Sequence, residues 1–157
     1  MKPEDRSFAP AFSVGGLNRL VIDADGASLN RSTGTSVRFA KSGSTYVTPE
    51  GSFTAMTTIN MPVDDPLTGV PKTAVYKLKS TSGMISLFDA SGLLLERCED
   101  NGDVIRFAYG DMKLDGTADD LVRVKSVHTG HTLDYGYTGG KITTVTDWAG
   151  RVTTYAY

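Results

Sequence analysis

The sequence predicts an all-β fold, a repetitive antiparallel β-ribbon or meander without substantial helix. Three observations predict it. First, Gly is followed seven residues later by Tyr three times in the last third of the chain: Gly102 to Tyr109, Gly130 to Tyr137 and Gly150 to Tyr157. Each copy places an aromatic two residues before the Tyr (Phe107, Tyr135, Tyr155) and Ile105, Leu133 or Thr153 two residues before that, and a period of two is the period of a strand. Second, turn signals recur at near-constant spacing. Gly83, Gly92 and Gly102 lie nine and ten residues apart and Gly140 and Gly150 ten apart, leaving room for strands of about six residues. Third, no stretch of eleven residues repeats apolar positions at i, i+3, i+4 and i+7, so no helix beyond a turn or two is expected.

Taken in order, the strand segments are Leu20 to Ile22, Val37 to Phe39, Val75 to Leu78, Met84 to Phe88, Val104 to Tyr109, Leu121 to Val127 and Ile142 to Thr146, all rich in β-branched and aromatic types. With the less apolar segments between them, about a dozen strands are expected. Four turns share one grammar, an acidic residue three places before a glycine: Asp23 to Gly26, Asp89 to Gly92, Glu99 to Gly102 and Asp147 to Gly150. The carboxylate accepts hydrogen bonds from turn N–H groups and the glycine takes the positive φ that closes a hairpin. Val127 replaces the acid before Gly130, so that turn is expected to differ. Two segments break the rhythm. Residues 60–71 hold three prolines and read as a loop at a sheet edge, since proline cannot donate to a ladder; residues 110–120 are polar, stretch the Gly-to-Gly spacing from twenty to twenty-eight, and read as an insertion in a hairpin. The whole chain, 1–157, reads as one sheet-like domain: an arm over 1–11, hairpins over 12–92 and repeats over 93–157.

Composition narrows the function classes. Sixteen Lys and Arg stand against eighteen Asp and Glu, scattered along the chain, so nucleic acid and acidic membranes are not expected partners. No apolar run is long enough for a membrane span, and the N-terminus lacks the apolar stretch of a signal peptide. A single cysteine, Cys98, excludes an internal disulfide and reads as a strand residue.

In its Gly-x-x-x-x-[Phe/Tyr]-x-Tyr units and Asp-x-x-Gly turns, the chain resembles the YD repeats of the rearrangement-hotspot (Rhs) proteins. The upstream half resembles the leader of that family in Gly15-Gly16-Leu17-Asn18-Arg19-Leu20, Asp25-Gly26, Val37-Arg38-Phe39, Tyr46-Val47-Thr48-Pro49-Glu50-Gly51, Tyr76-Lys77-Leu78 and Leu87-Phe88-Asp89-Ala90-Ser91-Gly92, so the likeness spans about residues 12 to 157. The resemblance implies a β-ribbon that spirals into a hollow shell around a toxin polypeptide, and it also implies carbohydrate binding by the repeats; the teneurins use a related shell at the cell surface. A secreted or cell-surface location, as part of a larger protein, follows from the same likeness. Complete shells are many times longer, and their closing autoproteolytic segment is not matched here. Asp65-Pro66-Leu67-Thr68-Gly69 shares only an Asp-Pro-x-x-Gly pattern with it, without the preceding aromatics, and reads as a proline loop. The expected partners are the remainder of a longer shell, or a second copy, docked through the C-terminal edge strand, together with the enclosed polypeptide and glycans.

Candidate ligand-binding residues are the exposed rings. Trp148 sits at a turn tip, and Tyr109, Tyr137 and Tyr157 of the aromatic ladder offer apolar faces and hydroxyls to a sugar, although packing is the better explanation for the ladder and, by a smaller margin, for Trp148. His128 and His131 flank Gly130 without a third ligand, so no metal is expected. Asp111, Asp115, Asp119 and Asp120 lack calcium-loop spacing and read as solvated carboxylates. Gly136 to Thr143 imitates a phosphate loop but is one residue short and leads into a strand. No nucleophile elbow or Cys-His pair is present, and neither enzymatic activity nor a cofactor is expected. A structural wall segment is the leading reading, a carbohydrate-binding or adhesive module the second, and an enzyme whose residues converge only in space the third.

Overall fold

A computed structural model of the chain describes residues 17–157. The predicted arm over 1–11 and the first residues of the leader-like half, Gly15 and Gly16 among them, lie outside the described residues. The described chain is all-β, with no helix and two antiparallel sheets. Strands β1 (Arg19–Asp23), β2 (Gly26–Asn30), β3 (Ser36–Ser42) and β4 (Thr45–Val47) form the smaller sheet in chain order. The larger sheet is also a meander: β5 (Thr54–Asp64), β6 (Pro71–Ser80), β7 (Ile85–Phe88), β8 (Leu94–Cys98), β9 (Val104–Gly110), β10 (Asp120–Ser126), β11 (Thr132–Thr138), β12 (Lys141–Asp147) and β13 (Val152–Thr154). One continuous ribbon was the expectation, and two sheets face each other instead. The reason is burial, because a single-layer sheet leaves both faces wet, whereas folding the first four strands over the next six makes a core.

That core holds Leu20, Ala27, Leu29 and Phe39 from the smaller sheet against Met56, Leu78, Phe88, Leu94, Phe107, Tyr109 and Leu121 of the larger one. Tyr46 and Tyr76 meet edge to face across the same interface, 6.1 Å between centroids, and burial pushes the Tyr76 hydroxyl above its ordinary pKa, with Tyr46 adding to the rise. The sheets are stitched where Leu20 N–H donates to the Gly92 carbonyl at 2.9 Å. Gly92 is held there twice over: its φ is +88°, and a Cβ would stand 1.8 Å from the Leu20 oxygen. β12 and β13 add no residue to this core.

The turns follow the acidic grammar at Asp89 and Asp147. Asp89 Oδ1 accepts from Ser91 and Leu93 N–H at 2.9 Å, and Asp147 Oδ1 accepts from Ala149 and Arg151 N–H at 3.0 and 2.9 Å. At Glu99 the carboxylate turns to Arg97 instead, 2.5 Å away, and Asn101 Oδ1 accepts from Asp103 N–H. The longer carboxylate arm of Glu reaches past the local N–H groups that a shorter Asp arm meets. The Gly130 turn does differ, closing with Gly130 N–H on the Ser126 carbonyl, four residues back.

The proline-rich segment needs correction. Residues 60–64 continue β5, and Pro71 opens β6; only 65–70 turn. Pro62 pairs with Thr73 on the outermost strand, where its missing N–H faces away from the sheet, and Pro71 occupies a first strand position. The 110–120 insertion does lie in a hairpin, between β9 and β10, but two of its acids are not solvated. Asp120 is fully buried, accepting from Met112 and Lys113 N–H at 2.9 Å and paired with Lys113 Nζ at 2.5 Å; Asp119 binds Arg19 at 3.0 Å. Asp111 accepts from Asp115 and Gly116 N–H. A loop this polar supplies many backbone donors, and these carboxylates hold its shape.

Candidate functional site

The repeat tyrosines share one bond. Tyr109 Oη donates to the Leu94 carbonyl at 2.8 Å, Tyr137 Oη to Leu121 at 2.7 Å and Tyr157 Oη to Ile142 at 2.8 Å. In each case a ring at the far end of one strand, or for Tyr157 just beyond it, is tied to the first residues of the strand before, which closes the open end of the hairpins β8–β9, β10–β11 and β12–β13. Leu94, Leu121 and Ile142 are all fully buried. The repeat therefore begins with a buried aliphatic residue, fifteen or sixteen positions ahead of its Tyr, which is a signal present in the sequence but masked by the more visible glycine.

The three tyrosines do not form one platform. Tyr109 is 8% exposed, Tyr137 is half-buried, and Tyr157 is 56% exposed with Lys141 Nζ 5.1 Å from its ring centroid. Beside them Tyr135 is half-buried, and burial, with Tyr155 adding to it, raises its hydroxyl pKa.

Trp148 stands apart from the ladder, at the tip of the β12–β13 turn. It is 56% exposed and stacks on His131, with ring centroids 4.0 Å apart and planes 7° from parallel. In the sequence these two rings lie seventeen residues apart, one at a turn tip and the other beside Gly130. The meander joins them, because the turn before β11 and the turn after β12 fall at the same end of the sheet. One face of the indole is occupied by the imidazole, leaving the other for solvent or a flat apolar ligand face.

On the sheet face opposite the core lies a cavity of about 410 Å³, lined by residues 64–69 together with Arg106, Lys125 and Val127. Four strand spacings of about 4.8 Å would hold a flat β5 about 19 Å from β9, yet Asp64 Oδ2 lies 3.5 Å from Arg106 Nη1. The distal half of the β5–β6 hairpin therefore folds back over the sheet. An irregularity between Thr58 and Met61 allows the bend, and Val63 and Ala74 pack on Leu87 and Leu95 beneath it. The hairpin tip is tied to one carboxylate: Asp65 Oδ1 accepts from Leu67 and Thr68 N–H at 2.8 and 3.0 Å, and its other oxygen meets Lys72 Nζ at 2.9 Å. Burial raises the Asp65 pKa, but Lys72 and these two N–H groups outweigh it and hold the carboxyl below its usual range.

No protein-family model and no curated protein matches the chain.

Proposed function

We propose that this chain is a structural segment of a YD-repeat shell, a β-wall that encloses a cargo polypeptide outside the cell. The observation that carries the reading is the recurring tyrosine-to-carbonyl bond. A hairpin that closes on itself by the same contact each time can be followed by another without altering its neighbours, which is the property a solenoid-like wall requires. The rising exposure of equivalent rings from Tyr109 to Tyr157 fits a wall whose face is covered in turn by further chain.

The test is to duplicate residues 141–157 in tandem at the end of the chain. In a repeat wall the added hairpin folds, Tyr157 becomes protected from solvent, and the melting temperature rises. An added hairpin that stays unfolded, with an unchanged melting temperature, refutes the reading. For the cargo, the informative observation is whether the reading frame runs on into further Gly-to-Tyr units and a variable C-terminal domain.

A second reading, a carbohydrate-binding or adhesive module, is favoured by the open face of Trp148. Its indole emission should then shift on a glycan panel, and the response should vanish in Trp148→Ala.

A further inference from the structure

The cavity under the folded-back hairpin is lined by two carboxylates, Asp64 and Asp65, and two cations, Arg106 and Lys125, and of these only Lys125 stands outside the ion pairs. Across the sheet, Glu96 is opposite Arg106, Arg106 is opposite Lys125, and Lys125 is opposite Thr132. Two cations thus stand at directly opposed cross-strand positions, an arrangement that destabilises a sheet unless something compensates it. Every neighbouring carboxylate is already engaged. Glu96 Oε2 holds Arg106 Nε at 2.8 Å, Asp134 is clamped by Arg123 at 2.5 and 2.9 Å, and Asp65 is taken by Lys72 and the hairpin N–H groups. Among the described residues Lys125 has no carboxylate within ion-pair distance. It is half-buried, and it lines the cavity together with Thr68.

We propose that this groove binds a small anion, a carboxylate or phosphate group carried by a ligand of about monosaccharide size. The anion sits between Lys125 and Arg106 and supplies the negative charge that the row of side chains lacks; charge-assisted bonds of this kind are the strong ones. The volume, about 410 Å³, falls at the small end of the range for ligand pockets. Asp64, 3.5 Å from Arg106 and largely exposed, stands at the rim as the group the anion displaces. This inference does not depend on the shell reading, because the groove lies on the other face of the sheet from the tyrosine-bonded core.

The experiment is an amide chemical-shift titration of the intact chain at low ionic strength with inorganic phosphate, with glucuronate, and with glucose as the neutral counterpart. Saturable shifts centred on residues 67–69, 106 and 125 are expected with phosphate, glucuronate or both, and the anion that responds names the ligand group. Lys125→Gln should weaken the response about tenfold or more, as loss of one charged hydrogen bond does; Lys125→Arg should keep it, and Asp64→Asn should strengthen it. Because Lys125 faces Arg106, Lys125→Gln should also raise the melting temperature in the absence of ligand. The proposal fails if neither anion gives saturable shifts, if glucose gives the same ones, if Lys125→Gln responds like the parent, or if that variant melts lower.

Discussion

At the start of the repeats Phe107 and Tyr109 lie under the smaller sheet, 4% and 8% exposed; two hairpins later Tyr155 and Tyr157 hold the same repeat positions at 39% and 56%. Local chemistry is equal in the two regions. Both strands are launched from a glycine with φ near +90°, +90° at Gly102 and +80° at Gly150, and both tyrosines donate to a carbonyl fifteen residues back. What differs is the lid. Strands β5 to β10 lend side chains to the shared core, β11 lends only the flank of Tyr135, and β12 and β13 lend none. A repeat therefore specifies the hairpin, while its contribution to stability depends on what covers it.

The sharpest way to break this comparison is to truncate equivalent rings. Phe107→Ala should cost about 3 to 5 kcal/mol, the usual range for a buried aromatic, and Tyr155→Ala less than about 1 kcal/mol. Urea denaturation checks the pair, and equal costs would show that the smaller sheet does not dominate the packing. Next in size are two turn glycines of the same grammar. Gly92→Ala combines a disfavoured φ with a collision against Leu20 and should cost about 3 kcal/mol or more. Gly150→Ala meets open space and should lose only the conformational term, about 1 to 2 kcal/mol, in thermal melts.

Smaller again is the hydroxyl series. Tyr109→Phe leaves the buried end of β8 with an unsatisfied carbonyl and should cost about 1 to 2 kcal/mol, whereas Tyr157→Phe, where water can substitute, should cost less than about 0.5 kcal/mol. Comparable values from denaturant curves would mean that the bond, and not its burial, sets the energy.

The smallest effect is on acid stability. A hydrogen bond from the Arg38 side chain lowers the Asp23 carboxyl from 3.8 to about 2, and the Arg151 backbone N–H, aided by its guanidinium, lowers that of Asp147. Depressed carboxyls stabilise the fold fully above the unfolded pKa and lose that contribution as pH falls through the folded one. The melting temperature should therefore decline as pH drops from 3.8 toward about 2. Asp23→Asn should flatten that decline slightly, and added salt should do the same, since both partners are exposed.

Much of the fold was legible because its signals are short. The alternation in Val104 to Tyr109 and the carboxylate grammar at Asp89 and Asp147 act within a few residues, and the structure keeps them. β2, with the sequence Gly-Ala-Ser-Leu-Asn, and β5, rich in Thr and carrying Pro62, were hidden because their partners define them more than their own residues do. The stacking of Trp148 on His131 is not legible, because only the sheet brings their two turns to one end. The burial of Asp119 and Asp120 is not legible either, since a loop acid looks the same in sequence whether it meets water or a folded backbone.

By itself, then, the sequence determined an all-β meander, its corners, and the spacing of its rings, because φ preference and side-chain alternation are local properties of the chain. Only the tertiary structure decided that the first four strands fold over the next six, that Gly92 becomes the seam, and that Lys125 is left facing Arg106 beneath a bent hairpin. Those outcomes depend on which distant surfaces exclude water from one another, and no window of neighbouring residues contains that information.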